Sequence, residues 1–138
     1  MRKKGIGLWP SLRLLSVSAA AIALSACTTG NALQLSMGDS DAVKRANELA
    51  ISCNLPGALQ ALEEAEASGG LASNVSQLQR VVFLRDAQRT AEANTALAAW
   101  NDATNATASD AAKTESSIQE SLVELQAERR SRTGSASC

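Results

Sequence analysis

The sequence predicts an all-α protein: a small domain of about four helices in antiparallel hairpins, preceded by a cleaved signal peptide and a short tether. In several segments between residues 41 and 130, apolar residues recur three or four positions apart, the spacing of one helix face. Capping residues, glycines and a proline separate these segments. The apolar residues are mostly Ala, Leu and Val, whose small side chains let helices approach closely.

Residues 1–26 have the layout of a secretory signal. An 11-residue apolar run, Leu14–Leu24, is followed by the small residues Ser25 and Ala26. A bilayer takes about 20 residues to cross, so this run is too short for a permanent membrane helix. The segment ahead of it has no acidic residue and carries four basic ones: Arg2, Lys3, Lys4 and Arg13.

The end of the signal, Leu24-Ser25-Ala26-Cys27, resembles the lipobox of bacterial lipoproteins. The resemblance implies cleavage between Ala26 and Cys27, a diacylglycerol thioether on Cys27, and acylation of its freed amine by a chain such as palmitate. Two or three acyl chains, at about 0.8 kcal/mol per buried methylene, anchor a protein stably. Thr28 takes the place of the Asp that retains such proteins in the inner membrane, so the resemblance favours the outer membrane. The sequence does not set the face of that membrane; the periplasmic side is expected in preference to the cell surface.

The first predicted hairpin follows a tether at residues 27–40, which could alternatively contain a brief strand. Its first helix is expected from about Asp41 to Ser52, and its second from Pro56 to Ala67. Pro56 suits the opening of a helix, and Gly69 and Gly70 stop it.

A long third helix is expected from Leu71 or Asn74 to Trp100, followed by a loop over residues 101–109. A last helix should begin at Ser109-Asp110 and run to about Arg130, with a flexible tail at residues 131–138. The domain is therefore predicted at residues 41–130. The stripe of the last helix follows helical spacing at Ala111, Thr114, Ile118, Leu122 and Leu125.

The first hairpin resembles one tetratricopeptide repeat. The small and apolar positions that interlock the two helices in that family are matched by Ala46, Leu49, Ala58, Leu62 and Ala65. A weaker second copy lies near Ala93, Leu97 and Trp100, and Cys53-Asn54 replaces the family's turn glycine. The resemblance implies a surface for binding other proteins. An unrelated alanine-rich hairpin would satisfy the same positions.

The amino-acid composition argues against several classes of function. Four of the 13 basic residues lie in the signal, which leaves nine against 14 acidic residues and a net charge of −5 after cleavage. No basic surface for nucleic acid is expected. Histidine is absent, so no metal site, no cofactor apart from the lipid, and no enzyme activity are predicted. Glutamate pairs such as Glu120 and Glu124 are interpreted as a solvated helix face.

Two cysteines remain beside Cys27. Cys53 and Cys138 can form a disulfide in an oxidising compartment, closing a loop worth about 4–5 kcal/mol on the chain-entropy model. Alternatively, Cys53 is buried and Cys138 is a free thiol that pairs with another chain or a small thiol.

Two functions are therefore expected. The first is a non-catalytic interaction or scaffold module that binds an envelope protein. The second is a structural subunit or accessory factor of a secretion, pilus or transport complex. A small-ligand carrier is a distant third, because an alanine-rich core leaves little cavity. The sequence does not set the oligomeric state.

Overall fold

The computed structural model describes residues 41–138. The predicted signal, Cys27 and the tether lie outside the described residues. The all-α prediction is confirmed, since the described part of the chain consists of helices and their connections. It contains five helices: α1 (Asp41–Ile51), α2 (Leu55–Ala67), α3 (Gly70–Asp86), α4 (Thr90–Thr104) and α5 (Ala108–Thr133).

Helices α1 and α2 form the predicted first hairpin, here called hairpin 1. The connection contains Cys53 in a left-handed conformation, with φ of 62°. Asn54 then caps α2, because its side-chain oxygen accepts a hydrogen bond of 3.1 Å from the backbone N–H of Gly57. A β-carbon on Gly57 would lie 2.7 Å from the Asn54 side-chain nitrogen, so a larger residue there would force the capping side chain to shift.

The predicted long third helix is two helices, α3 and α4, which form hairpin 2. The chain reverses between Ala87 and Arg89, with Gln88 at a φ of 60°. The break was not predicted because no glycine or proline marks it. α5 also begins earlier than expected, since Thr107 and Asp110 form a reciprocal capping box ahead of Ser109.

Hairpins 1 and 2 repeat the same backbone hydrogen bonds 35 residues apart. The N–H of Asn54 donates to the carbonyl of Leu49, and the N–H of Arg89 donates to that of Leu84. At each preceding residue the φ is positive, at Cys53 and Gln88. The next helix starts the same way, because the N–H groups of Ala58 and Ala93 donate to the carbonyls of Asn54 and Arg89. The two hairpins therefore share the same turn, in a register of 35 residues.

Small residues let the helices pack closely. Ala46, Ala58 and Ala93 are each 0% exposed, and Phe83 fills the centre at 1%. Residues 81–84 of α3 are all buried, as expected for the middle helix of the core. α2 packs between α1 and α3, and α3 packs on α4. The interior is thus assembled from alanine contacts around a few large side chains.

Helix α5 packs on α3 and α1 and holds the ends of the fold together. Its inward stripe, Ile118, Leu122 and Leu125, continues at Arg129, whose side chain is 1% exposed. Arg129 donates to the Asp86 carboxylate at 3.0 Å, to the carbonyl of Ala50 at 2.9 Å and to that of Ala136 at 2.8 Å. One guanidinium therefore joins the carboxyl ends of α1 and α3 to the last residues of the chain.

The last residues differ from the predicted flexible tail. α5 continues to Thr133 and ends at Gly134, which adopts a left-handed conformation with φ of 84°. Ala136 then contacts Arg129, and Cys138 bonds to Cys53. Within residues 41–138, no helix is both long and apolar enough to cross a membrane.

Replacing Arg129 by methionine should lower the free energy of unfolding by about 3–5 kcal/mol, because it leaves the Asp86 carboxylate buried without its counter-charge. Urea unfolding followed by circular dichroism measures the loss. Arg130→Met, on the neighbouring exposed residue, is the matched control and should change stability by less than about 0.5 kcal/mol. Equal effects of the two substitutions would contradict the role given to Arg129.

Candidate functional site

The structure brings together two of the residues selected from the sequence. Ala26 and Cys27, the predicted cleavage and lipidation residues, lie outside the described residues. Cys53 and Cys138 are joined by a disulfide, with their α-carbons 5.5 Å apart, inside the usual range for such bonds. Both residues are exposed to solvent. The bridge therefore ties the turn of hairpin 1 to the end of α5.

A small cavity lies beside the disulfide, between the turn of hairpin 1 and the end of α3. Its volume is about 60 Å³, and Leu55, Phe83 and Asp86 contribute to its walls. Sites for organic ligands generally measure about 300–1,000 Å³, so this space admits no more than a few water molecules. The cavity is therefore a packing feature.

A larger surface groove lies along hairpin 1 and measures about 300 Å³. Its floor is Ala61, which is 2% exposed, beside the half-buried Leu49. An ion pair between Arg45 and Glu64 crosses it, with both side chains about half exposed. We call this groove the outer face of hairpin 1. It is lined by Arg45, Leu49, Gly57, Gln60, Ala61 and Glu64.

The groove contains polar and charged groups but no pair of groups suited to proton transfer. Among residues 41–138, no group of three or more acidic or cysteine side chains is placed to hold a metal ion. The carboxylates with perturbed acidity all shift the same way. Hydrogen bonds from Arg85 lower the pKa of Glu115, and those from Arg89 lower the pKa of Glu92. The lowered pKa keeps both carboxylates ionised at neutral pH.

Most of the ion pairs in the described part join different helices. Arg80 contacts both Glu63 and Glu66, which join α3 to α2. Arg132 contacts Glu48 and Glu128, whose hydrogen bonds raise its already high pKa. Such exposed pairs contribute about 0–1 kcal/mol each to stability. These ion pairs help to determine which helices lie side by side, but they contribute little to the free energy of folding.

Sequence reasoning missed the Arg129 cluster. Arg129 lies beside the predicted end of the last helix, at about Arg130, where a positive charge suits the helix dipole. It lies four residues after Leu125, however, and so continues the buried stripe of α5. That spacing was a signal for an inward-facing arginine, but it did not identify Asp86 as the partner.

No local sequence motif marks the outer face of hairpin 1. Gly57 and Ala61 look like ordinary helix residues in the sequence, and Arg45 and Glu64 like ordinary surface charges. The structure places all four on one side of hairpin 1. The groove therefore arises from how α1 and α2 are joined and not from any local motif.

Comparisons with protein-family models, with curated proteins and with solved structures gave no match. Functional interpretation of this chain therefore rests on its own residues. The features that bear on it are the sequence of residues 1–28, the repeated hairpins, the outer face of hairpin 1, and the bridge between Cys53 and Cys138.

Loss of the disulfide should destabilise the domain. Cys138→Ser removes a bond that closes a loop of 85 positions, so the free energy of unfolding should fall by about 2–5 kcal/mol. Denaturant unfolding of both proteins without reductant measures this, and mass spectrometry after thiol alkylation should find Cys53 and Cys138 unmodified in the unsubstituted protein. Alkylated thiols, a bound small thiol or a disulfide-linked dimer would contradict the intramolecular bond.

Proposed function

We propose that this chain is an outer-membrane-anchored lipoprotein whose helical domain is a non-catalytic protein–protein interaction or scaffold module of the cell envelope. The observation that carries the proposal is the sequence Leu24-Ser25-Ala26-Cys27 at the end of a basic and then apolar segment. Cys27 would hold the diacylglycerol and N-acyl lipid. Thr28 favours delivery to the outer membrane, with the domain on its periplasmic side.

The interaction role is supported by the repeated hairpins. Helical-hairpin repeats such as the tetratricopeptide repeat bind proteins through the surfaces that stacked helices create. Here two hairpins share the same turn in a register of 35 residues, and Ala58 and Ala93 occupy the same buried position in each. The outer face of hairpin 1 adds an open groove of mixed chemistry. These features suit a binding module better than an enzyme.

The alternative role is a structural subunit or accessory factor of a secretion, pilus or transport complex. Two large apolar side chains favour it, because Leu71 is 65% exposed and Val123 is 57% exposed in the described chain. They lie on different helices, α3 and α5. In a larger assembly, neighbouring subunits would cover both side chains.

Lipidation is tested by metabolic labelling with a palmitate analogue. The full chain should incorporate the label, and Cys27→Ser should abolish it, because the thiol is the attachment point. Cys53→Ser is the matched control and should remain labelled. Labelling of the Cys27→Ser variant at the level of the unsubstituted chain would refute the anchor.

The interaction role is tested by chemical crosslinking in intact envelopes, followed by purification of the tagged chain and mass spectrometry. The proposal expects a small set of specific envelope proteins, depleted when Cys27→Ser removes the chain from the membrane. Recovery of the subunits of one large complex in constant ratio would favour the alternative role. Recovery of abundant porins alone would contradict both.

A further inference from the structure

The contact between α2 and α3 shows how one hairpin packs on the next. Arg80 of α3 lies against α2, where its side chain donates to a carboxylate oxygen of Glu66 at 3.1 and 3.2 Å. The same guanidinium lies 3.7 Å from Glu63, three residues earlier on α2. Leu84, one turn further along α3, is 4% exposed. Hairpin 2 therefore meets hairpin 1 through an arginine, a leucine and two carboxylates at i and i+3.

Hairpin 1 carries the same arginine and leucine on the side where residues 41–138 supply no neighbouring hairpin. Thirty-five residues before Arg80 and Leu84, the backbone repeat places Arg45 and Leu49. Both line the outer face. The Arg45 side chain is 51% exposed, whereas the Arg80 side chain is 23% exposed. Arg80 is less exposed because α2 covers it. No element within residues 41–138 covers Arg45 in the same way.

The outer face also lies away from α3. Glu66 contacts α3 through Arg80, while Glu64 lines the outer face. Two residues apart on a helix of 3.6 residues per turn, these side chains project from nearly opposite sides of α2. The outer face is thus the open end of the hairpin stack.

We propose that the outer face of hairpin 1 is a stacking surface for a helix of another protein, and that this helix carries two carboxylates three residues apart beside alanines, as α2 does. Arg45 would exchange its pairing with Glu64 for the incoming carboxylates. The incoming alanines would pack beside the half-buried Leu49. This inference rests on the proposed interaction role, for which it names the surface and the chemistry of the partner.

A second copy of this chain does not offer that chemistry at the other end of its stack. The repeat places Ala98 and Asn101 of α4 at the positions of Glu63 and Glu66. Neither can pair with Arg45 as a carboxylate does. Helix α2 itself is already covered by α3 in each copy. The occupant is therefore a different protein.

Duplication of hairpin 1 tests the stacking surface directly. A second copy of residues 41–75 is inserted ahead of residue 41 in the otherwise complete chain, which keeps the 35-residue register. Each stacked repeat adds an interface to the stability of a repeat protein. The added copy should raise helix content in circular dichroism and raise the thermal unfolding midpoint by about 5 °C or more.

Charge reversal identifies the contact. Arg45→Glu in the original hairpin places a carboxylate opposite Glu63 and Glu66 of the added copy, and like charges across an interface repel, so it should remove at least about half of the gain. Each substitution is also made in the unduplicated chain, and the gain is the difference. Arg89→Glu disrupts a similarly exposed ion pair outside the outer face and is the matched control. An absent gain, or one that Arg45→Glu leaves intact, overturns the proposal.

Photo-crosslinking in envelopes separates this inference from the proposed function. A photoreactive residue replaces Gln60 on the outer face or, as the control, the exposed Gln119 of α5. The proposal expects Gln60 to capture a helix of another protein with two acidic residues three apart. Capture at Gln119 alone, or of a second copy at Gln60, overturns the stacking surface and leaves the interaction role standing. Capture at neither position counts against both.

Discussion

The fold depends on the hydrogen bonds of one buried guanidinium, that of Arg129. A charged side chain that is 1% exposed must be paired and hydrogen-bonded inside the protein. The two terminal nitrogens of Arg129 meet this demand with Asp86 from α3, the carbonyl of Ala50 from α1 and the carbonyl of Ala136 from the last residues, whereas its Nε has no partner among the described residues. Those three segments must therefore meet at one point. A buried ion pair is not always a net gain in free energy over apolar residues, but it strongly restricts which groups can come together.

The contacts of Arg129 explain how a stack of only two hairpins supports itself. Stacks of helical hairpins generally need about three units to bury a continuous core. Two hairpins are present in residues 41–138, and a single long helix takes the place of a third. α5 crosses both α1 and α3, and its Ile118 and Leu125 join the same core as Phe83. Its end is held by Arg129 and by the disulfide, so the stack is closed by a helix packed across it.

Helix boundaries were predicted from the sequence where a residue at the boundary marks them, and were missed where none does. The boundaries of the two helices of hairpin 1 were predicted to within one residue, because Pro56 and the glycines after α2 mark them. The turn at Gln88 was missed because a non-glycine residue takes up the positive φ, held by backbone hydrogen bonds on either side. Thr107 was passed over as a cap because Ser109 offers a similar motif two residues later.

Contacts between residues far apart in the sequence could not be predicted from local patterns. A separation of 85 positions says nothing about the distance between Cys53 and Cys138, so bonded and free forms were equally consistent with the sequence. The partner of Arg129 is 43 positions away, on another helix. No local sequence motif marks the outer face of hairpin 1 either. Helix propensity and periodicity carry no information on any of these contacts.

The disulfide also determines how the domain responds to tension. A pull applied between residue 41 and residue 138 travels along the chain to Cys53 and then crosses directly to Cys138. Only the segment 41–52, which is α1 and the start of its turn, can be drawn out. Helices α2 to α5 lie inside the covalent loop, so the pull cannot extend them while the disulfide is intact. A protein held by its amino-terminal end and loaded at its carboxyl-terminal end would thus keep most of its core intact under force.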